Sequence, residues 1–217
     1  MKKVKIFIDL ILNLILPKDA GITEIENMSD IDILNNLPQA NDINNKYKAL
    51  FCYKNKIVRK VIWNIKYKKN QKLNKKFSGL LYEFILENIS DEMLFSRFKN
   101  PLLIPIPMHK NNLKKRGYNQ SELIVQEIFE IDKNKNFEIS LNSLLKTKET
   151  PHQSELKNKT KRLENLKNCF YADIKKIKNR NIILIDDVIT TGTTMKEAVK
   201  TLQKVGAKKV IGFSLAH

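Results

Sequence analysis

The sequence predicts an α/β fold: a doubly wound, mainly parallel sheet with a helical extension at its N-terminal end. Three observations carry that expectation. The run "NIILIDD" (181–187) is apolar up to its last two residues, as in a strand buried on both faces of a parallel sheet. Met195, Ala198, Val199, Leu202 and Val205 follow at helical spacing and stop at Gly206, a C′-type position. A second apolar run, "KVIGFSL" (209–215), comes next. Strand, helix, strand in that order implies a right-handed crossover between parallel strands.

The remaining elements can be taken in chain order. In "MKKVKIFIDLILNLILPKDA" two lysines before an apolar run resemble a signal peptide. Lys5, Asp9 and Asn13 interrupt that run, no small-x-small cleavage site follows, and the run is too short and too broken to span a bilayer. The residues predict an amphipathic helix closed by Pro17. From 18 to 50 the chain carries Asp19, Glu24, Glu26, Asp30, Asp32 and Asp42 and reads as a polar linker or a small acidic subdomain. A boundary near residue 48 divides the chain into 1–48 and 49–217. Ile57, Val58, Val61, Ile62 and Ile65 predict one helix, and Leu73, Phe77, Leu80, Leu81, Phe84 and Ile85 a second. "PLLIPIP" (101–107) reads as a short buried strand, followed by a helix around Ser121 to Glu130. "FEISL" (137–141) and "CFYA" (169–172) read as further strands.

Composition narrows the class. A chain of 217 residues with 42% hydrophobic content can bury one α/β core with an appendage. Cys52 and Cys169 lie far apart with no C-x-x-C pair, which excludes a disulfide framework and zinc-ribbon spacing. A reducing, cytoplasmic compartment follows as the expectation, with no bound zinc. The formal net charge of +17 is unevenly spread. Residues 1–50 hold six Lys/Arg against seven Asp/Glu, whereas residues 51–80 hold ten Lys/Arg and no acid.

Against that charge, "IILIDDVITTGTTMKEAV" (182–199) sets two carboxylates, Asp186 and Asp187, beside a hydroxyl-rich loop. In an open parallel sheet, ligands sit beyond the carboxyl ends of the strands, where these acids fall. The loop Thr190-Thr191-Gly192-Thr193-Thr194 leads into the next helix, and Thr194 and Glu197 have capping-box spacing. Amides at a helix start face an anion, hydroxyls add donors, and Gly192 lets the backbone come close. That loop suits a phosphate. The carboxylates suit vicinal hydroxyls or a hydrated Mg²⁺. A phosphate and a diol one sugar apart describe a ribose 5-phosphate.

Residues 182–194 resemble the 5-phosphoribosyl-1-pyrophosphate (PRPP) motif of type I phosphoribosyltransferases. "IPIPMHKNNLKKRGYNQSELI" (104–124), "TPHQSELKNKTKRLENLKNCF" (150–170) and "ALFCYKNKIVRKVIWNIKYKKN" (49–70) resemble signatures of the ComF competence-protein family, as does "FIDLILNLILP" at the start. The resemblance fails between about 18 and 48, where that family usually carries a four-cysteine zinc finger that this sequence lacks. It implies a type I phosphoribosyltransferase fold over 49–217. It also implies that Asp186 and Asp187 hold the ribose, that Thr190, Thr191, Gly192, Thr193 and Thr194 hold the 5-phosphate, and that Mg²⁺ arrives with PRPP near Asp186. By the same likeness His109, Lys110 and Arg116 would meet the pyrophosphate, with Gly117 to Gln120 turning into the helix behind. His109 reads equally as a solvated loop residue. Arg162 and Asn165 would belong to a mobile loop over the ligand, unless that stretch is simply a solvated basic loop.

Chemistry at such a site would be displacement of pyrophosphate at ribose C1 through an oxocarbenium-like centre. No residue stands out as a base for an incoming purine or pyrimidine. The basic segment interleaves Phe51, Tyr53, Trp63, Tyr67 and Phe77 among its lysines. Cations along a backbone with stacking platforms under the bases make a groove for single-stranded nucleic acid, with Lys66, Tyr67, Lys68, Lys69 and Lys72 as the candidate contacts. The same residues also fit a buried ring set under a solvated helical face. Three functions stay open: a ComF-like protein handling single-stranded DNA in natural transformation, a nucleobase-salvage phosphoribosyltransferase, and a PRPP-sensing nucleic-acid-binding regulator. The resemblance further implies a helicase-like DNA-uptake partner, which no residue of the sequence marks.

Overall fold

The computed structural model describes residues 20–41, 46–95, 98–148 and 168–217. The helix expected before Pro17, and Arg162 and Asn165, lie outside these residues. The centre is a five-stranded sheet built from β1 (Tyr47–Phe51), β2 (Leu102–Pro105), β3 (Glu138–Ile139), β6 (Asn181–Val188) and β7 (Lys209–Ala216). Its order is β1-β7-β6-β2-β3 and every pairing is parallel. The expected doubly wound parallel sheet is therefore present, with β6 at its middle.

Side chains of β6 alternate between two cores, as the two-residue period of a strand requires. Ile183 and Ile185 face one core with Ile211, Phe213 and Leu215 of β7. Ile182 and Leu184 face the other with Val210. The first core is closed by α3 (Lys56–Lys68), α4 (Gln71–Phe95) and α6 (Gln120–Ile131). Asn55 caps α3 by accepting hydrogen bonds from the Ile57 and Val58 amides, and Lys69 ends it in the left-handed conformation at φ 51°. Both predicted helices of this region are there. The second core is closed by α8 (Thr193–Lys204), which buries Met195, Ala198, Val199 and Leu202. Gly206 stands just beyond that helix at φ +90°, where only glycine is at ease.

Several elements differ from expectation. The segment 18–50 holds α1 (Ala20–Asn27) and α2 (Asp30–Asn36), the latter capped by Ser29. Ile22, Ile25, Ile33 and Leu37 from this region join the first core. Tyr47–Phe51, not expected as a strand, is an edge of the sheet. "CFYA" supplies β5 (Phe170–Ala172), which does not enter that sheet. It pairs antiparallel with β4 (Leu144–Lys146) in a separate ribbon. The short helices α5 (Lys110–Arg116) and α7 (Ile174–Ile177) were too brief to show helical periodicity. Among the described residues no helix is long and apolar enough to cross a membrane.

Candidate functional site

The site lies at the carboxyl end of β6. Asp186 and Asp187 close that strand, and their side chains have different neighbours. The Asp186 Oδ1 atom accepts hydrogen bonds from the Ser121 hydroxyl at 3.0 Å and from the Asp187 amide at 2.9 Å. Asp187 is buried, and its Oδ2 atom lies 2.7 Å from the Lys66 ammonium at the end of α3. Burial and then the Asp187 charge push the Asp186 carboxyl up to about 7, while Lys66, the Ser121 hydroxyl and the Asp187 amide pull it down. Burial works against the Lys66 ammonium, but Asp187 and Asp186 together outweigh it, and the lysine's pKa is raised. The pair is thus partly neutralised from within the chain.

Beyond Val188 the chain is pinned before it turns. The Ile189 amide donates to the Ala216 carbonyl at 2.9 Å, and the Ile189 carbonyl lies 2.7 Å from the His217 Nδ1 atom. Gly192 then enters α8 at φ 70°, and Thr191 and Thr193 share a 2.8 Å hydroxyl contact. A shallow open depression is lined here by Asp186, Val188, Ile189, Thr190, Gly192, Thr194 and Met195. Carboxylate and threonine loop therefore face one space. The expected capping box does not form. Because Gly192 takes the N-cap position, Thr194 falls inside the helix, and Glu197 instead accepts the Asn168 amide at 2.6 Å. Gly192, having no side chain, gives this helix start no side-chain cap.

The proposed pyrophosphate contacts sit around α5. His109 is buried, and its Nδ1 atom accepts from the Asn111 amide at 3.3 Å, so it caps this helix and is not a solvated loop residue. Lys110 is exposed at the first position of the same helix. Arg116 reaches Gln120 at 2.6 Å and lies over the Tyr67 ring at 5.1 Å. Gly117 at φ 89° reverses the chain toward α6, as the sequence led one to expect.

The basic segment resolves into two groups. Lys66 does not belong to an open nucleic-acid face, because its ammonium turns inward to Asp187. Tyr67, Lys68, Lys69 and Lys72 are exposed. Trp63 is exposed as well (49%) and packs beside Tyr67 with ring centroids 5.8 Å apart, whereas Phe77 is core. Lys68 lies over Trp63 and Lys69 over Tyr118. The result is a surface of interleaved rings and cations next to the carboxylates.

Sequence reasoning missed Ser121, Tyr118, Gln120 and Lys146. The Tyr118 hydroxyl and the Gln120 amide both donate to the Lys66 carbonyl, at 3.0 and 3.2 Å. Lys146 in β4 is lowered by burial, with Cys169 and Asp186 pulling the other way. Tyr118, Gln120 and Ser121 fall inside the stretch 104–124, but their partners Lys66 and Asp186 lie far away in the chain, so the contacts themselves leave no local pattern.

Residues 114–216 match the phosphoribosyl transferase domain. Competence protein F of Haemophilus influenzae is 36% identical over 119 residues, covering 53% of this chain and 49% of that one. The chain is thus similar to a phosphoribosyl transferase domain over 114–216 and to competence proteins over about half of its length. Competence protein ComFC of Streptococcus pneumoniae is 33% identical over 144 residues, 65% of this chain and 60% of that relative. The chain thus spans about half the length of the first of these relatives and three fifths of the second. A hypoxanthine-guanine phosphoribosyl transferase of L. donovani aligns at 10% identity with a TM-score of 0.40, over 65% of this chain and 70% of that one. The type I phosphoribosyltransferase fold rests on the domain match and on the parallel sheet itself.

Proposed function

We propose that this chain acts as a ComF-type protein in DNA uptake, with a site for PRPP or a related ribose 5-phosphate beside a surface for single-stranded DNA. The observation that carries the reading is Asp186 lining the same depression as the Thr190–Thr194 loop. A carboxylate accepts from sugar hydroxyls, and the loop with the start of α8 presents amides and hydroxyls to a phosphate. The relatives' names, competence protein F and competence protein ComFC, support the DNA-uptake part.

Among the described residues no cluster of three His, Cys, Asp or Glu forms a metal cage. The Asp186 carboxylate at the depression suits Mg²⁺ carried in on phosphate oxygens, with one or two carboxylates beside it, the arrangement this ion prefers. When bound, the ion would spread the leaving-group charge of pyrophosphate. The chain's own part is to hold sugar and phosphate in place. In the same proposal no zinc is bound, because Cys52 and Cys169 are the chain's only cysteines. One zinc per chain by elemental analysis, surviving dialysis against a weak chelator, would overturn that.

Replacing Asp186 and Asp187 together with Asn should weaken Mg²⁺·PRPP about tenfold or more, since a charge-assisted hydrogen bond lost costs roughly 1.5–3 kcal/mol, with circular dichroism to check that the fold survives the loss of the Lys66 partner. Unchanged affinity by calorimetry would end the reading. The phosphoribosyl transferase domain match favours a second reading, nucleobase salvage. Base-dependent release of pyrophosphate across a panel of purines and pyrimidines would select it.

A further inference from the structure

The two acids of the site do not stand alike. Asp186 lines the depression under the threonine loop, whereas Asp187 is buried and turned to the Lys66 ammonium at 2.7 Å. Lys66 is itself held from behind. Its carbonyl accepts from Tyr118 at 3.0 Å and from Gln120 at 3.2 Å, and Gln120 is in turn held by Arg116 at 2.6 Å. The next residue, Ser121, donates to Asp186. One short turn therefore sets both the lysine that meets Asp187 and the hydroxyl that meets Asp186.

We infer that Lys66 is a positioning residue of this site: it anchors Asp187 and offsets the charge of the pair, so that Asp186, oriented by Ser121 and the Asp187 amide, is the carboxylate that meets the sugar hydroxyls. Without an internal cation, two adjacent carboxylates, one of them buried, repel each other and move apart. With Lys66 in place the pair keeps one geometry before any ligand arrives, and pre-organisation is worth affinity. Lysine suits the task as a compact charge on a long stem that reaches from the last turn of α3 to the end of β6. The inference rests on the ribose 5-phosphate reading of the same site, and it divides a role that the sequence assigned to both acids equally.

The test compares ribose 5-phosphate with inorganic phosphate by calorimetry, without divalent metal, on the full chain. Phosphate alone probes the threonine loop, and the ratio of the two affinities isolates the sugar contacts. Lys66→Met should leave phosphate affinity unchanged and reduce the preference for ribose 5-phosphate by about tenfold or more, the usual weight of one charge-assisted contact. Lys66→Arg should restore part of the preference, which excludes a failure of folding as the cause. In the Lys66→Met background Asp187→Asn should cost little more, while Asp186→Asn should still remove what preference remains. A Lys66→Met protein that keeps the full sugar preference, or loses affinity for both probes equally, overturns the role of Lys66 alone. A wild-type protein with no preference for the sugar phosphate overturns the ribose reading beneath it.

Discussion

At the scale of single residues, the acid pair makes its own prediction about pH. Asp186 ionises near 7 in the fold against 3.8 for a free aspartate, chiefly because it is buried and next because Asp187 is charged. A carboxyl whose native pKa is raised holds its proton more tightly folded than unfolded. Its effect is to lower stability as the pH climbs, beginning near 3.8 and complete once the pH passes about 7. Asp186→Asn should flatten this part of the profile, so urea midpoints at pH 4.5 and 7.5 should lie closer together than in the wild type. Ser121→Ala removes a hydrogen bond that favours the ionised form, and should widen the gap instead. Parallel pH profiles for wild type and Asp186→Asn would refute the assignment. The acids and threonines were legible in the sequence because they follow one another along a few residues, where strand, loop and helix start leave a local pattern. Ser121 lies 65 positions from the carboxylate it touches, and Lys66 is farther still from Asp187. Such a contact exists only once the sheet has formed.

Among elements, β7 meets the start of α8 closely beneath the site. A Cβ on Gly212 would stand 2.7 Å from the Met195 sulfur and 3.0 Å from its Cγ, closer than packed atoms come. Met195 is buried (1%) and forms part of the floor under the threonine loop. Gly212→Ala should therefore push this floor outward and cost about 1–3 kcal/mol, the usual range for overpacking a core. Phosphate affinity should fall with it, and Met195→Ala in the same chain should recover phosphate binding by making room. An alanine variant with unaltered denaturation and phosphate affinity would show that the methionine relaxes freely. Which elements were legible follows the same logic of local against distant signals. The apolar run of β6 and the helical stripe of α8 identify themselves, because burial on both faces leaves few polar residues. β1 has only five residues, and its pairing partners, Gly212 to Ala216, lie at the other end of the chain. The acids of 18–50 mask the four apolar residues, Ile22, Ile25, Ile33 and Leu37, that fasten α1, α2 and the turn after them to the core. The capping-box pattern misled because Gly192 can adopt φ 70° and begins the helix earlier than a threonine cap would.

On the scale of the whole molecule, charge and site come together at one place. The segment that supplies ten Lys/Arg without an acid forms α3 and the start of α4, and the end of α3 abuts the carboxylates. Lys66 turns inward to Asp187, Lys76 reaches back to Asp30 and the Met28 carbonyl, and Lys68 and Lys69 lie over the Trp63 and Tyr118 rings. A surface of that kind would hold a phosphate backbone by its cations and stack bases on its rings. Under the proposed function, affinity for single-stranded DNA should fall steeply with salt, by a slope of about −0.7 in log–log terms for each phosphate neutralised. Changing Lys68, Lys69 and Lys72 together to Gln should flatten this slope by roughly two units, and equally for every sequence, since backbone contacts do not read bases. Lys66 is left out of the set, because its ammonium serves Asp187. Trp63→Ala and Tyr67→Ala should each lower affinity with little change of slope, by roughly 1–3 kcal/mol where the ring stacks on a base. Both rings are half exposed, so neither change opens the core, and thermal unfolding should stay near the wild-type value. A wild-type chain that binds no single-stranded DNA at low salt, or a triple variant whose slope is unaltered, would remove the nucleic-acid surface, leave the carboxylate–threonine site standing, and move the preferred function from DNA handling to sugar-phosphate chemistry.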